Sequence, residues 1–266
     1  MVQTFDAQII AFFSQYAHQN RAFDTLIYDL ADSSLFKGGF FMAYFWWSWF
    51  RSDNRSEETR AQILITLAGS LVAVFLSRIL QLALPYHVRP LQNSAVAFVL
   101  PYGVNPETLS HWNSFPSDHA ALFIALSVGI ALHRPLLGAL AAIWTIVVIC
   151  IPRIYLGYHY PSDVIAGAAL GGAVMLATYY AARHARWPGW VLQWEPRHRT
   201  AFYCLAFLAT YEMTVLFYDV RALGTDGFHV FKSMISASAA QPRDEPRTQV
   251  VHPPGTWDSN GSAHRF

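Results

Sequence analysis

Long apolar runs separated by short polar gaps organise this sequence. Six of the runs have about the length that a helix needs to cross the roughly 30 Å hydrocarbon core of a bilayer. These predicted spans are residues 33–50, 61–84, 116–132, 136–157, 161–182 and 200–220. The pattern predicts an all-α fold, a polytopic membrane bundle of about six transmembrane helices.

Two details refine the predicted spans. Lys37 lies near one end of the first span, from where its long side chain can carry the ammonium to the interface. In the fifth span, Gly167, Gly171 and Gly172 give the small-residue spacing that lets transmembrane helices approach closely. We therefore expect close helix packing around the fifth span.

The two ends of the chain do not follow this pattern. Residues 5–17 and 21–34 have apolar positions near helical spacing but are too short to span, so we expect helices that lie along the membrane interface. From Ala237 onward the chain is polar and without periodicity, which is typical of disordered segments. The expected division is an N-terminal interfacial segment (1–34), a transmembrane domain (35–222) and a largely disordered C-terminal tail (223–266).

Composition agrees with a membrane protein. Charged residues make up 13% of the 266 residues, against about 25% in a typical globular domain. The formal net charge is +1 and no run of Lys and Arg has the pattern of a nucleic-acid-binding surface, so we expect no nucleic-acid partner. Cys150 and Cys204 lie inside apolar runs, where small buried side chains are the simpler interpretation than a disulfide or a metal cluster.

The basic residues predict which loops face the cytoplasm. Arg and His residues follow the first, third and fifth spans, at Arg51, Arg55, Arg60, His133, Arg134, Arg183, Arg186, Arg197 and Arg199. The second and fourth connections are then on the outer face. The polar residues most suited to chemistry lie in or beside these two connections, so they converge on one side of the membrane.

The stretch from Arg153 to Asp163 has the residue types of a catalytic centre. His159 and Asp163 are four residues apart around a helix that begins near Pro161, so their side chains can meet. A carboxylate there can fix the imidazole tautomer and leave the other ring nitrogen as a base or nucleophile. Arg153 supplies a planar cation that suits a phosphate group.

A second group of residues opens the third predicted span. Ser117 is well placed as a helix N-cap, and free backbone N–H groups at a helix start bind anions. His119, in the first turn, could donate a proton to a leaving oxygen, or it could be an ordinary interfacial histidine.

Two arginines lie at the end of the second span. Arg78 falls inside the apolar run, where it either binds phosphate or makes a snorkelling or interhelical hydrogen bond. Arg89 precedes a proline in the following loop and could bind phosphate or face lipid headgroups. Glu212 and Asp219 are also charged residues within a span, but we leave them out of the site because an interhelical ion pair explains Glu212 better.

The ordered motifs Arg89-Pro90, Pro116-Ser117-Asp118-His119 and Arg-x5-His-x3-Asp at residues 153–163 resemble the type-2 phosphatidic acid phosphatase superfamily. The resemblance covers roughly residues 60–182. It implies that His159 is a nucleophile forming a phosphohistidine, that Asp163 orients it and that His119 protonates the leaving oxygen. Arg89, Ser117, Arg153 and backbone N–H groups near Asp118 would hold the phosphate, with no metal and no cofactor.

Three positions depart from the pattern of this superfamily. Leu82 stands where the family has lysine, and Arg78, one helical turn earlier on the same face, could take its place. Asp118 stands where most members have glycine, and a carboxylate beside a phosphate must point away, stay protonated or help select the substrate. Pro152 replaces a serine, which removes one hydroxyl group.

The Pro-Ser-Asp-His form and the missing lysine resemble the bacitracin-resistance subgroup, which dephosphorylates undecaprenyl pyrophosphate. The resemblance implies a bacterial inner membrane enzyme with its site facing the periplasm or exterior. A phosphatidic acid or phosphatidylglycerophosphate phosphatase is the alternative within the family. Vanadium-dependent haloperoxidases belong to the same superfamily but are soluble. A non-catalytic membrane transport or structural protein would not need His119, His159 and Asp163 together.

Overall fold

A computed structural model describes residues 4–51, 56–110 and 112–216 of this protein. The α-helices are α1 (Thr4–Ser14), α2 (Arg21–Asp32), α3 (Phe40–Phe50), α4 (Ser56–Ala83), α5 (Asp118–Ala131), α6 (Pro135–Trp144), α7 (Ile151–Tyr155), α8 (Pro161–Ala182), α9 (Trp187–Trp194) and α10 (Arg199–Thr214). Within these ranges no strand occurs, so the all-α prediction is confirmed.

Short non-α segments connect several of these helices. A π-helical turn at Leu35–Gly39 leads into α3, and a second at Thr145–Cys150 joins α6 to α7. Residues Pro135–Tyr155 are thereby one continuous helix of 21 residues. Single 3-10 turns occupy Pro90–Gln92 and Glu195–Arg197.

Within the described residues, three helices could cross a membrane by length and composition: Ser56–Ala83, Pro135–Tyr155 and Pro161–Ala182. The third predicted span is a shorter apolar helix, Asp118–Ala131. The first predicted span, 33–50, contains the π-helical turn and the 11-residue α3. The sixth predicted span, 200–220, coincides with α10 within the described residues. The count of six spans therefore stays a prediction. The predicted disordered tail, 223–266, lies outside the described residues.

The helices α4, α5 and α8 form the centre of the bundle, where α5 packs against both of the others. Phe123 and Leu126 of α5 are fully buried in a core that also contains Phe41 of α3 and Ile149 of the second π-helical turn. This packing leaves the start of α5 beside the start of α8, because the Ser117 amide donates to the Asp163 carbonyl at 3.0 Å.

Two glycines of α8 permit this close approach. A Cβ at Gly167 would lie 2.2 Å from the Ser117 carbonyl oxygen, and a Cβ at Gly171 would lie 2.1 Å from the Ala121 carbonyl oxygen. Gly172, which the spacing also suggested, faces open space. Close packing therefore depends on Gly167 and Gly171 and does not involve Gly172.

The paired variants Gly171→Ala and Gly172→Ala test this difference. The first forces a methyl group into the α5 backbone and should destabilise the protein by about 1–3 kcal/mol, the usual range for overpacking. The second should be neutral or stabilising by up to about 1 kcal/mol, because alanine is the better helix former. Thermal unfolding of the two variants in one detergent measures the difference, and equal unfolding temperatures would contradict the close packing.

Candidate functional site

The His159 imidazole is buried in the loop between α7 and α8. Its Nδ1 lies 2.9 Å from the Ser114 carbonyl oxygen and 3.8 Å from the nearer Asp163 carboxylate oxygen. A carbonyl oxygen can only accept, so Nδ1 carries the proton and Nε2 has a free lone pair. Burial lowers the pKa of His159, and the nearby Arg89 cation lowers it further, so the ring is neutral at neutral pH.

The sequence predicted that Asp163 would hold His159 directly, but the Ser114 carbonyl is the closer partner. Asp163 lies behind it, fully buried, and accepts hydrogen bonds from the Tyr160 amide at 2.8 Å and from the Ser114 hydroxyl. Its other oxygen, Oδ1, lies 3.4 Å from Nδ1 of His87. Asp163 thus fixes the loop that presents Ser114 to His159, in addition to supplying a nearby negative charge.

His119 lies in the first turn of α5, beside Asp118. Its Nδ1 is 3.0 Å from one Asp118 carboxylate oxygen, and its Nε2 is 3.1 Å from a guanidinium nitrogen of Arg153. The second Asp118 oxygen forms an ion pair with Arg78. Both Asp118 oxygens therefore have partners within the protein, although a carboxylate oxygen still lies within 4.8 Å of a His159 ring nitrogen.

The pairing with Asp118 changes how Arg78 can be interpreted. Besides that ion pair, the Arg78 guanidinium donates to Gln81 at 3.1 Å and stacks over the Trp112 ring. The charge of Arg78 is thus largely matched within the protein. Arg78 fixes the Asp118 carboxylate through the ion pair, and Asp118 in turn positions the His119 ring.

The start of α5 offers fewer free N–H groups than the sequence suggested. Ser117 is the N-cap, and its hydroxyl oxygen accepts from the Ala120 amide at 3.4 Å. The His119 amide donates to the Asp118 carboxylate at 2.8 Å. The chain's own side chains therefore occupy part of the predicted anion site.

Arg89 is the cation nearest to His159. Its guanidinium donates to three backbone carbonyls, those of Trp112, Asn113 and Tyr158. One of its terminal nitrogens also lies 3.5 Å from His159 Nε2. Burial lowers the pKa of Arg89 to about 10, so it stays charged at neutral pH. The carbonyls fix Arg89 in place, and no carboxylate is paired with it among the described contacts.

Arg153 is the second cation held by a carbonyl. One terminal nitrogen donates to the Ala31 carbonyl at 2.6 Å and also faces His119 Nε2. Its Nε is buried and, within the described part of the chain, has no hydrogen-bond partner. An unsatisfied buried donor is costly, so this nitrogen is suited to an incoming acceptor.

Lys37 was not predicted to belong to the site. The sequence suggested that it reaches the interface, but its side chain is only 9% exposed. It lies on the π-helical turn that packs against Thr145–Cys150, and its ammonium interacts electrostatically with Arg153, Asp118 and His119. This tertiary packing, which local spacing does not reveal, turns Lys37 toward the site.

The N-terminal helices also contribute to the site. Asp6 of α1 is buried and accepts from the amide and hydroxyl of Ser162 at 2.9 and 2.7 Å, one residue before Asp163. Asp24 of α2 accepts from the Tyr155 hydroxyl and from the Tyr102 amide. Each of these aspartates directly follows a phenylalanine in the sequence, at residues 5–6 and 23–24.

Asp118, His119 and His159 each bring a possible metal-ligating atom within 4.8 Å of the others. The donor set nevertheless suits an anion better than a metal ion. Arg78 is bonded to Asp118, Arg153 faces the free nitrogen of His119, and Arg89 faces that of His159. Three guanidinium groups would repel a divalent cation at this position.

Residues 61–187 match the sequence profile of the PAP2 superfamily. This segment contains Arg78, Arg89, Ser117, Asp118, His119, Arg153, His159 and Asp163. The bacitracin transport permease protein BcrC of Bacillus licheniformis is 42% identical over 72 residues, which are 26% of this chain and 34% of that protein. The match therefore spans about a third of the length of that relative.

Among solved structures, a PAP2-type phosphatidylglycerolphosphate phosphatase from Bacillus subtilis aligns with 68% of this chain and 86% of its own. The TM-score is 0.46 and the sequence identity is 17%. This likeness is too low to carry an inference about activity.

A double-mutant cycle tests whether Arg78 serves Asp118. Arg78→Met and Asp118→Asn each leave one charge of a largely buried pair without its partner, whereas the double variant removes both. The stabilities measured by thermal unfolding in detergent should show a coupling of about 1–3 kcal/mol. Arg60→Met, in the same helix, is the control and should show no coupling with Asp118→Asn. Additive effects of Arg78→Met and Asp118→Asn would contradict the ion pair.

Proposed function

We propose, starting from the match of residues 61–187 to the PAP2 superfamily, that this protein is a membrane lipid phosphatase. It hydrolyses a lipid diphosphate, with undecaprenyl pyrophosphate as the expected substrate and undecaprenyl phosphate and inorganic phosphate as products. The observation that carries the proposal is the placement of two histidines among buried cations that form no ion pair with the carboxylates of the described residues, although Asp32, Asp118 and Asp163 act on them electrostatically.

The charge around the histidines supports an anionic substrate. Arg89, Arg153 and Lys37 are 3%, 7% and 9% exposed. Arg89 and Arg153 are held by carbonyls, and the nearby carboxylate Asp118 is already paired with Arg78. Buried charge is costly unless it is paired. A phosphate or diphosphate group supplies the missing negative charge.

The first chemical step uses His159. Its Nε2 lone pair attacks the terminal phosphorus, the bond from phosphorus to the bridging oxygen breaks, and a phosphohistidine forms. Nδ1–H keeps its hydrogen bond to the Ser114 carbonyl, and Asp163 at 3.8 Å stabilises the positive charge that develops on the ring. Arg89 and Arg153 neutralise the equatorial oxygens, which is the main requirement of phosphoryl transfer.

His119 serves as acid and then as base. Asp118 stabilises its protonated form through Nδ1, while Nε2 faces Arg153. When the phosphate takes over the Arg153 contact, Nε2 first takes up a proton from water or from a protonated phosphate oxygen and then gives that proton to the leaving oxygen. The same nitrogen then removes a proton from water, the water oxygen attacks the phosphohistidine, and phosphate leaves with His159 restored.

Lys37 supports a diphosphate over a phosphate monoester. Lys37 is a third buried cation, and it interacts electrostatically with Arg153. Its positive charge attracts a diphosphate more strongly than a phosphate monoester, because the diphosphate carries more negative charge. The resemblance of the sequence to the bacitracin-resistance subgroup supports the same choice. The prevalence of basic residues in the first, third and fifth connections supports a site on the outer face of the membrane.

Phosphate release by the purified protein tests the proposal. Undecaprenyl pyrophosphate should be hydrolysed faster than phosphatidic acid in the same detergent, and His159→Ala should reduce the rate by about 10⁴-fold or more, as loss of a catalytic nucleophile does. Vanadate should inhibit, because it mimics the trigonal-bipyramidal phosphoryl group, and EDTA should not. Lys37→Met should reduce diphosphate hydrolysis more than monoester hydrolysis.

Arg134, an exposed arginine immediately before α6, gives the matched control, and Arg134→Met should change neither rate. A preference for phosphatidic acid would overturn the choice of substrate while leaving the chemistry in place. Full activity of His159→Ala, or loss of activity with EDTA, would overturn the mechanism.

A further inference from the structure

His87 is a histidine that the mechanism above does not use, and it contacts the same carboxylate as His159. Its Nδ1 lies 3.4 Å from Asp163 Oδ1, whereas His159 Nδ1 lies 3.8 Å from Asp163 Oδ2. The two imidazoles thus approach opposite oxygens of one buried side chain. His159 is 4% exposed at its side chain and His87 is 40% exposed, so His87 is the one that can exchange protons with water.

The position of His87 is fixed from several sides. Its ring stacks on Tyr160 with 4.9 Å between centroids and 26° between planes. Its amide donates to the Asn113 side chain at 3.1 Å, and its carbonyl accepts from the Ser114 amide at 3.0 Å. Ser114 is the residue whose carbonyl holds His159. His87 therefore touches Asp163 directly and is joined through one residue to the direct partner of His159.

We propose that His87 is a positioning residue of the active site, whose protonation decides how much of the negative charge of Asp163 acts on His159. This inference rests on the proposed function, in which positive charge develops on the His159 ring. A neutral His87, whose Nδ1 lies 3.4 Å from Asp163 Oδ1 without a hydrogen bond, leaves the carboxylate negative. A protonated His87 forms an ion pair with Asp163 and draws that charge away from His159.

The groups around His87 set the sign of the pH dependence. Among the described residues, Asp163 of α8 and Asp6 of α1 raise its pKa, and partial burial opposes them. Tyr160 contributes its neutral ring, and the Arg89 guanidinium is directed to the carbonyls of residues 112, 113 and 158. Asp163 is the largest influence, so the pKa of His87 is above its usual value while that of His159 is below it.

The consequence concerns the acidic side of the pH–rate profile. As pH falls, His87 takes up its proton first, and activity declines before His159 itself is protonated. His87 can be replaced with a residue that donates a hydrogen bond but does not titrate. The acidic limb of the pH–rate profile should then be set by the lower pKa of His159 alone.

The test compares pH profiles of kcat/KM for the wild type and His87→Asn. The acidic limb of the variant should move down by about one pH unit, which is the usual spread of histidine pKa values in proteins. His133→Asn, a histidine at the opposite end of α5, should give the wild-type profile. A rate that falls equally at every pH, with an unmoved limb, would assign His87 a merely structural role and overturn the proposal.

A measurement without turnover separates this inference from the proposed function. In protein with isotope-labelled histidine, the NMR titration midpoint of His87 should fall when Asp163 is replaced with Asn, because the carboxylate that raises the pKa is removed. An unchanged midpoint would overturn the coupling even if the protein is an active phosphatase. A lowered midpoint in a protein without phosphatase activity would retain the coupling and reject the function.

Discussion

The buried carboxylate of Asp163 is the interaction on which the rest of the site depends. One oxygen of this carboxylate accepts from the Tyr160 amide and the Ser114 hydroxyl, and the other, which has no hydrogen-bond partner among the described residues, lies 3.4 Å from the His87 ring. The Asp163 carbonyl also accepts from the Ser117 amide. One residue therefore joins the start of α8, the start of α5 and the loop before α5, the segments that carry or adjoin His159 and His119.

Contacts from two sides stabilise the place where Asp163 joins the starts of α5 and α8. On one side, Gly167 and Gly171 let α8 lie directly on the backbone of α5. On the other side, Asp6 binds Ser162, the neighbour of Asp163. The short N-terminal helices are in this way part of the site's architecture, although the sequence suggested only that they lie along the membrane. A bundle without them would lose hydrogen bonds at the first turn of α8.

Features set by short-range spacing could be predicted from the sequence, and features set by distant contacts could not. The start of α8 near Pro161 and the capping position of Ser117 follow from local rules of helix geometry. The pairing of Arg78 with Asp118 joins residues from different helices, and the burial of Lys37 depends on a π-helical turn. The Ser114 carbonyl beside His159 lies 45 residues away in sequence. Backbone carbonyls have no sequence signature, so this partner could not be anticipated.

The central claim is that His159 becomes phosphorylated during turnover, and trapping that intermediate tests it most directly. Protein mixed with undecaprenyl pyrophosphate labelled in its terminal phosphate is quenched at alkaline pH and digested, and the label is located by mass spectrometry. The account predicts label on His159 that is stable in base and lost in acid, as expected of a phosphohistidine. Turnover without label on His159, or an acid-stable label on another residue, would contradict it.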